Sequence, residues 1–497
     1  MNSTHNFTMP IDHFHNESRY EPHTNATFQQ LYWLDTTNYV PGGPVIILAI
    51  GEDSATVDFE WLQKGLLHKI ANATGGVAVL WAQRRVIGGD VVPSDQPYTT
   101  ENLRFHSTEQ AMADLAYFAQ RVSFPGLEDR NLTASTTPWI ILGGSYGGAI
   151  SAFSRIQYPD LFWGGLSSSG VTVAIENNWQ YFDVIRRYGP SECVKRQQEL
   201  TNLMDNIYDS GNKTALSELF SGFNISDATE YPDFAKFITG PLNSWDQFWN
   251  FPPDPLTGPG TYCGFITSKA NATVASAALE TTAHSLLAYA NKTATPNVTD
   301  LYYPLLNLFS YVQTKYSFCA GKTVSECLSL NSPGPFQWIE CTEYGSFTTG
   351  YTPGRPGRPT ALPLISRTLT LEYHLNQCHS IYNITYDPQL QRFNKYGGFN
   401  MSYPRLALST GQLDYYRPLT PLAEFLEDGK PNPRVKDNGT DSNPQIVIEG
   451  GYHEWDFPGL LPNETDFHMP AVVASAQNRE IEAVKLWLQE WNQTHKV

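Results

Sequence analysis

Long apolar runs are missing from this 497-residue sequence, and basic residues are in the minority. No stretch is long and apolar enough to span a bilayer as a helix. The 32 lysines and arginines face 49 aspartates and glutamates, which gives a net charge of −17. Nucleic acids and anionic membrane surfaces are poor partners for such a chain. We therefore expect no nucleic-acid and no membrane partner.

Cysteine is also scarce, with six in the whole chain and no C-x-x-C pair. Zinc and thioredoxin-type sites are therefore disfavoured, and we expect no metal and no cofactor. Sixteen N-x-S/T sequons, from Asn2 to Asn492, indicate passage through a secretory pathway. In that compartment an even number of cysteines favours three disulfides. The first residues lack a signal peptide, so we expect a mature secreted protein whose leader is not part of this chain.

One stretch in the first third of the chain carries the most informative motif. Residues 139–142 predict a short buried strand, Gly143-x-Ser145-x-Gly147 follows, and residues 149–158 predict a helix. Strand, sharp turn and helix in that order are typical of the nucleophile elbow of an α/β-hydrolase, with Ser145 as the nucleophile. The alternative is a glycine-rich turn that only packs a helix against a sheet.

The rest of the chain predicts a parallel sheet covered by helices, because short apolar strands alternate with helical patterns. The predicted strands are 28–33, 44–50, 77–81, 161–166, 405–409 and 445–449, and the clearest predicted helices are 108–122, with Thr108 as N-cap, and 471–492. From about residue 175 this alternation stops. We predict a mostly helical cap over 175–370, inserted into a hydrolase domain made of 1–174 and 371–497.

Two residues after late strands complete a candidate catalytic triad with Ser145. Asp414 follows strand 405–409 and His453 follows strand 445–449, so both lie at carboxyl ends, where open parallel sheets bind ligands. The order Ser, Asp, His is the one that this fold uses. Asp12 and His13 are adjacent as well, but we interpret them as a structural turn. Glu454 and Asp456 are too close to His453 in sequence to orient its ring.

The tetrahedral intermediate of such a reaction needs an oxyanion hole. One donor is expected to be the backbone N–H of Tyr146, the residue after the nucleophile. The other is expected from the loop after strand 44–50, and therefore from Gly51 or Glu52.

Six motifs, in the same order along nearly the whole chain, carry a family resemblance. They are DHF at 12–14, EQAMAD at 109–114, GGSYGG at 143–148, QW…CTE at 337–343, GQLD at 411–414 and GGYH at 450–453. In these motifs the sequence resembles the serine carboxypeptidase family that contains lysosomal Pro-X carboxypeptidase, the lysosomal dipeptidyl peptidase and fungal acid prolyl endopeptidases.

The resemblance implies a serine peptidase of α/β-hydrolase fold that cleaves peptides after proline, often at acid pH, in a secretory, vacuolar or lysosomal compartment. It assigns the triad roles to Ser145, Asp414 and His453. It further implies the disulfides Cys193–Cys263, Cys319–Cys327 and Cys341–Cys378. The family is often dimeric, although no interface is evident in this sequence.

Departures from the family pattern fall on residues expected to bind the substrate. Tyr415 and Tyr416 stand where the family usually has Pro-Trp, and Ala149 stands where relatives have methionine. Proline needs a shallow pocket with aromatic walls, which Tyr415, Tyr416 and Trp455 could build; they could equally belong to the core.

The ends of the substrate decide between peptidase modes. An aminodipeptidase needs a carboxylate for the substrate's amine, for which Glu52, Asp53 and Glu343 are candidates. A carboxypeptidase needs a cation, for which Arg84 and Arg85 are candidates; any of these five could instead form a structural ion pair. The overall likeness favours the endopeptidases. An esterase or lipase on the same fold and a non-catalytic binding protein stay open as alternatives.

Overall fold

The computed structural model describes residues 4–51, 59–82, 85, 98–226, 231–245, 247–250, 256–258, 260–270, 276–292, 298–328, 334–436 and 439–495. Its centre is an eight-stranded sheet in the order β1-β2-β4-β3-β5-β6-β9-β10. The six strands from β4 to β10 run parallel, and β1 and β2 add an antiparallel edge. This sheet, together with the elbow described below, gives the chain an α/β-hydrolase fold.

The strands of this sheet and of a small second one have the following bounds: β1 His5–Pro10, β2 Thr27–Asp35, β3 Val45–Ala49, β4 Val77–Trp81, β5 Trp139–Gly144, β6 Gly164–Ser168, β7 Ile175–Asn177, β8 Gly345–Phe347, β9 Leu406–Gly411 and β10 Gln445–Ile448. All of the predicted strands form. The prediction for 161–166 is wrong at its start, because Phe162 still closes a turn onto Tyr158 before β6 begins. The first strand, β1, was not predicted.

Both faces of the central strands β3 and β4 are buried, which explains why these two strands are apolar at every position. In β3, Val45 and Ile47 belong to one hydrophobic cluster, and Ile46 and Leu48 belong to another on the opposite face. Successive strand residues point to opposite faces, so a strand covered on both sides needs a continuous apolar run. Burying each such side chain stabilises the fold by about 1.5–3 kcal/mol before entropy is subtracted.

Helices cover both faces of the sheet and fill the middle of the chain. They are Gly65–Thr74, Thr100–Leu103, Thr108–Arg121, Ser145–Gln157, Gln180–Tyr188, Ser191–Asp209, Lys213–Gly222, Tyr231–Thr239, Tyr262–Thr267, Ala277–Lys292, Tyr302–Lys315, Val324–Leu328, Pro335–Ile339, Leu371–Tyr382, Leu390–Asn394 and Ala471–Thr494. The predicted N-cap Thr108 is wrong by one residue. Ser107 is the cap, since its Oγ accepts the bond from the backbone N–H of Gln110 at 3.2 Å.

The described elements between β7 and β8 are helical, and they bury a hydrophobic cluster of their own. This cluster extends to Tyr415 and Tyr452, which flank the predicted triad residues. The helical region therefore packs against the loops at the carboxyl edge of the sheet. The exact division into 1–174, 175–370 and 371–497 stays a prediction.

The six cysteines form three disulfides, which are Cys193–Cys263, Cys319–Cys327 and Cys341–Cys378. The pairing implied by the family resemblance is thus confirmed. Two of them staple the helical region, and the third ties the end of that region to helix Leu371–Tyr382. Among the described residues, no helix has both the length and the apolar character needed to cross a membrane.

Candidate active site

The turn from β5 into helix Ser145–Gln157 places Ser145 in a left-handed backbone conformation, with φ at 51°. Such a conformation is costly for a residue with a side chain and is concentrated at functional sites. The flanking glycines make the turn sterically feasible. A Cβ at Gly143 would lie 1.9 Å from the carbonyl oxygen of Gly147, so only a residue without a side chain fits there. The nucleophile elbow predicted from the motif therefore has the geometry that it requires.

The loop after β3 packs directly against the elbow. A Cβ built on Gly51 would lie 2.5 Å from the backbone nitrogen of Gly147 and 3.3 Å from the carbonyl carbon of Tyr146. The backbone of Gly51 thus lies beside the peptide unit that joins Tyr146 to Gly147. Glu52, the other predicted donor, lies outside the described residues. The oxyanion-hole roles stay predictions.

Asp414 and His453 form a buried pair at the ends of β9 and β10. The imidazole Nδ1 lies 3.0 Å from both carboxylate oxygens of Asp414. The carboxylate is fixed in turn by the backbone N–H of Tyr416, which donates to Oδ1 at 2.8 Å, and by the hydroxyl of Thr410, which donates to Oδ2 at 3.2 Å. This arrangement can hold one ring tautomer, with Nδ1–H toward Asp414 and Nε2 available as a base.

The Asp414–His453 pair and Ser145 meet at one edge of the sheet. Ser145 and Tyr416 line the same cavity of 220 Å³, and the Tyr416 ring lies 4.8 Å from the ring of His453. The side chain of Glu454, the residue after His453, lies against Gly144, the residue before Ser145. Three distant segments therefore lie close together at this edge of the sheet, and the triad roles of Ser145, Asp414 and His453 stay predictions.

The walls of this cavity are mainly aromatic and come in large part from residues that no motif pointed to. They are Tyr146, Val171, Tyr181, Asn243, Phe336, Glu340, Tyr344, Ser346, Thr348, Tyr416 and Leu419. Tyr181, Asn243 and Phe336 belong to the region between β7 and β8. Their sequence neighbourhoods carry no pattern that distinguishes a cavity wall from a helical core.

The structure places some of the predicted substrate-binding residues at the cavity and others away from it. Tyr416 lines the cavity, whereas Tyr415 is buried behind it against Tyr181, with ring centroids 4.4 Å apart. Ala149 is fully buried in the core and is not among the residues that line this cavity, so its role in substrate binding stays a prediction. Trp455 is held away from the cavity walls by its indole N–H, which donates to the carbonyl of Gln247 at 2.9 Å.

Glu343, a candidate anchor for the substrate's amine, forms a structural ion pair. One carboxylate oxygen accepts from the guanidinium of Arg19, and the other accepts from the backbone N–H of Thr108 at 3.0 Å. Burial alone would raise the pKa of this carboxyl, but the charge of Arg19 and these bonds hold the pKa below its usual value. Glu343 is 1% exposed and is not among the residues that line the cavity.

Arg85, a candidate for the substrate's terminal carboxylate, has no donor to spare. Its Nε and Nη2 donate to the carboxylate of Asp114 at 2.6 and 2.7 Å, and its remaining N–H groups reach three backbone carbonyls. A guanidinium has five N–H donors, and all are used here. The assignment of Arg85 to substrate binding is therefore wrong. Asp53 and Arg84, the other candidates, lie outside the described residues.

Asp12 and His13 are structural, as predicted. His13 bonds Asp114 at 2.7 Å, whereas Asp12 accepts from the backbone N–H of Phe14 and lies 2.8 Å from Nδ1 of His23. Asp12, His15 and His23 form the one group of the described chain whose ligand atoms lie close enough to hold a metal ion. None of the three lines the cavity beside Ser145.

Comparison with known proteins gives relatives along nearly the whole chain. The family model of serine carboxypeptidase S28 matches residues 9–426. A protein of Arthroderma benhamiae named "Probable extracellular serine carboxypeptidase" is 36% identical, over 97% of this chain and 68% of that protein. The serine protease vicPb of Bipolaris victoriae is 26% identical over 90% of this chain and 83% of its own length.

Two further likenesses are more distant. Human lysosomal Pro-X carboxypeptidase is 26% identical over 40% of each chain. Among solved structures, the proline iminopeptidase of Mycobacterium smegmatis is 11% identical with a TM-score of 0.34, over 97% of this chain and 100% of that one.

Proposed function

Because this chain belongs to the serine carboxypeptidase S28 family, we propose that it is a secreted serine peptidase that cleaves peptide bonds on the carboxyl side of proline. The single observation that carries the catalytic part of the proposal is that Ser145 and Tyr416 line one cavity, while the Tyr416 ring lies 4.8 Å from the ring of His453, which bonds Asp414. An esterase would use the same geometry, so only the choice of substrate distinguishes an esterase from a peptidase.

The proposed reaction has two steps. Nε2 of His453 takes the proton of the Ser145 hydroxyl as Oγ attacks the carbonyl carbon of the substrate's proline residue. The N–H groups of Tyr146 and Gly51 stabilise the oxyanion that forms. The imidazolium then protonates the departing amine, which leaves an acyl-enzyme. Water, deprotonated by the same imidazole, then attacks the ester. This releases the substrate fragment that now ends in the carboxylate of proline and restores the Ser145 hydroxyl. Asp414 stabilises the imidazolium in both steps.

The preference for proline is supported by the cavity beside Ser145. Its walls include the rings of Tyr181, Phe336, Tyr344 and Tyr416, and its volume of 220 Å³ suits a small ring rather than an extended side chain. Flat aromatic faces offer contact to the proline ring without hydrogen bonds, which proline's tertiary amide cannot donate.

A second cavity, of 240 Å³, favours carboxypeptidase action over the endopeptidase action that the sequence suggested. It shares Glu340, Ser346 and Thr348 with the first one, and it is lined by Lys236. The ammonium of Lys236 bonds the side chain of Gln377 at 3.2 Å and is the cation of that cavity's described lining. A terminal carboxylate of a peptide bound across both cavities would meet this charge.

A panel of peptides tests the proposal. Fluorogenic X-Pro peptides that are free or blocked at each end, and p-nitrophenyl esters, are assayed at pH 4–7 with wild type, Ser145→Ala and the exposed control Ser135→Ala. We expect cleavage after proline only when the carboxyl end is free, and no turnover by Ser145→Ala. Turnover of doubly blocked peptides would identify an endopeptidase, and turnover of esters alone would refute the peptidase.

The secretory part of the proposal is supported by exposure of the sequons. The sequon asparagines whose side chains the structure describes are exposed, apart from the half-buried Asn212. Expression in a eukaryotic secretory host should give a glycoprotein whose mass falls on treatment with an N-glycosidase. An unchanged mass would contradict this.

A further inference from the structure

A pair of acidic side chains is buried in the segments next to the candidate active site. Asp456, three residues after His453, and Glu480, on helix Ala471–Thr494, are 0% and 1% exposed, and their carboxyl groups interact with each other. Oε2 of Glu480 is buried and receives no hydrogen bond from a donor among the described residues. The hydroxyls of Ser168 in β6 and Ser409 in β9 donate to the two oxygens of Asp456. The proposed mechanism uses neither carboxyl.

Two carboxyl groups in direct contact cannot both be ionised in a buried site. One bridging proton gives the contact a donor and leaves the pair with a single negative charge, which the two serine hydroxyls stabilise. Burial raises the pKa of Glu480 well above its ordinary value, and the neighbouring Asp456 raises it further.

The charges around Glu480 do not neutralise it. Asp456 faces it from the loop after β10, and Arg479, its neighbour on the helix, lowers the pKa only as a minor contribution. From helix Gly65–Thr74, Lys69 reaches Gln477, one turn before Glu480, with its ammonium toward the amide oxygen. The sheet contributes serines at this point, not charges.

The helix that carries Glu480 also anchors the segment that carries His453. The side-chain amide of Gln477 donates to the carbonyls of Asp456 and Pro458 at 2.6 and 2.9 Å. The segment also contains a left-handed residue, Glu454 with φ at 54°, whose N–H donates to the hydroxyl of Ser169 at 3.0 Å. Such backbone strain persists only where surrounding contacts hold it.

We propose that Asp456 and Glu480 share one proton in the folded protein, and that this proton holds the segment 453–457 where the imidazole of His453 can activate Ser145. Glu480 is then a positioning residue, and the inference rests on the proposed role of His453 as base. When the pH rises enough to remove the proton, two adjacent buried negative charges repel each other. The segment then leaves its strained position and Ser145 loses its base.

The first test measures stability. In an unfolded chain Glu480 ionises near its ordinary pKa of about 4.3, so over the range above this value the folded state carries one additional proton. Stability from this proton is complete below that pKa and is lost as pH rises. Between pH 5 and the ionisation of folded Glu480, the folding equilibrium constant of wild type should fall about tenfold per pH unit relative to Glu480→Gln. Glu482→Gln, exposed on the same helix, should follow wild type.

The second test measures the activation of Ser145 without a peptide substrate. The rate of labelling by a fluorophosphonate is followed from pH 5 to 9, each protein normalised to its own rate at pH 5. Wild type and Glu482→Gln should lose labelling at high pH, while Glu480→Gln should keep it for at least one pH unit further. The amide keeps a fixed donor toward Asp456. Should Glu480→Gln not fold, Asp456→Asn replaces it with the same expectation.

Parallel stability curves for wild type and Glu480→Gln would overturn the shared proton. A stability difference without a shift in the labelling profile would overturn the positioning role. Failure of the peptidase proposal would be seen separately, as absence of cleavage in the peptide panel while Ser145 is still labelled.

Discussion

Asp414→Asn probes the contact by which the candidate triad selects a histidine tautomer. The carboxylate oxygen Oδ1 accepts from the backbone N–H of Tyr416 at 2.8 Å, and a backbone donor cannot reverse. An asparagine will therefore turn its carbonyl oxygen toward Tyr416 and its NH₂ toward Nδ1 of His453. Because Nδ1 lies 3.0 Å from both oxygen positions, the new NH₂ competes with Oδ1 for Nδ1 and favours the tautomer with its proton on Nε2, which cannot remove the proton of Ser145.

The magnitude follows from that change of tautomer. In serine peptidases the equivalent loss lowers kcat about 10⁴-fold, which corresponds to about 5.5 kcal/mol in the activation free energy. Asp414 is 1% exposed, so solvent cannot supply a substitute acceptor for Nδ1–H. Since asparagine is isosteric and retains the bond from Tyr416, we expect the free energy of unfolding to change much less than the activation free energy.

The assay combines kcat on the best X-Pro substrate with urea unfolding for wild type, Asp414→Asn and Asp129→Asn, an exposed control beside Arg130. The control should match wild type in both measurements. A loss of less than tenfold in kcat for folded Asp414→Asn would refute the role of Asp414 in orienting His453. A large loss of stability with a proportionate loss of activity would show that the residue is structural.

Three further predictions concern the neighbourhood of the elbow and the pocket. Gly51→Ala introduces a Cβ 2.5 Å from the nitrogen of Gly147 and should lower kcat about 10²- to 10³-fold by displacing an oxyanion donor; an unchanged kcat would exclude that loop from the oxyanion hole. Glu343→Gln leaves Arg19 with only its 3.4 Å contact to Glu109 and should lower the free energy of unfolding, measured in urea at pH 7, by about 1.5–3 kcal/mol, with the difference shrinking as pH falls through the lowered pKa of Glu343. Phe336→Ala removes a cavity wall and should lower the ratio of kcat/KM for proline over alanine substrates by roughly 10- to 200-fold, whereas an equal loss for both would deny it a part in selectivity.

Elements of the sheet were predictable because their signals are local. A strand buried on both faces has to be apolar at each position, and residues 44–50 and 77–81 show this without any knowledge of their neighbours. The elbow is local for the same reason, since a left-handed serine needs glycines on both sides. Asp414 and His453 could be chosen because parallel strands bring their carboxyl ends to one edge.

The substrate pocket could not be predicted, because its walls come from segments that are far apart in the sequence. Tyr415 and Tyr416 are identical neighbours, yet one is buried behind the pocket and one lines it. Arg85 and Glu343 carried plausible charges, but only the packing of Asp114 and Arg19 against them reveals that these charges are already paired. Each of these contacts spans a sequence separation that no periodicity encodes.

By itself, the sequence determined the strands of the parallel part of the sheet, the elbow and the order of the triad candidates, since each depends on the residue types of one short segment. Only the tertiary structure decided which aromatic rings face Ser145, which charged groups are left for a substrate, and that Glu480 lies against Asp456. Those outcomes depend on which distant side chains share a volume from which water is excluded, where each polar group must find its partner inside the protein.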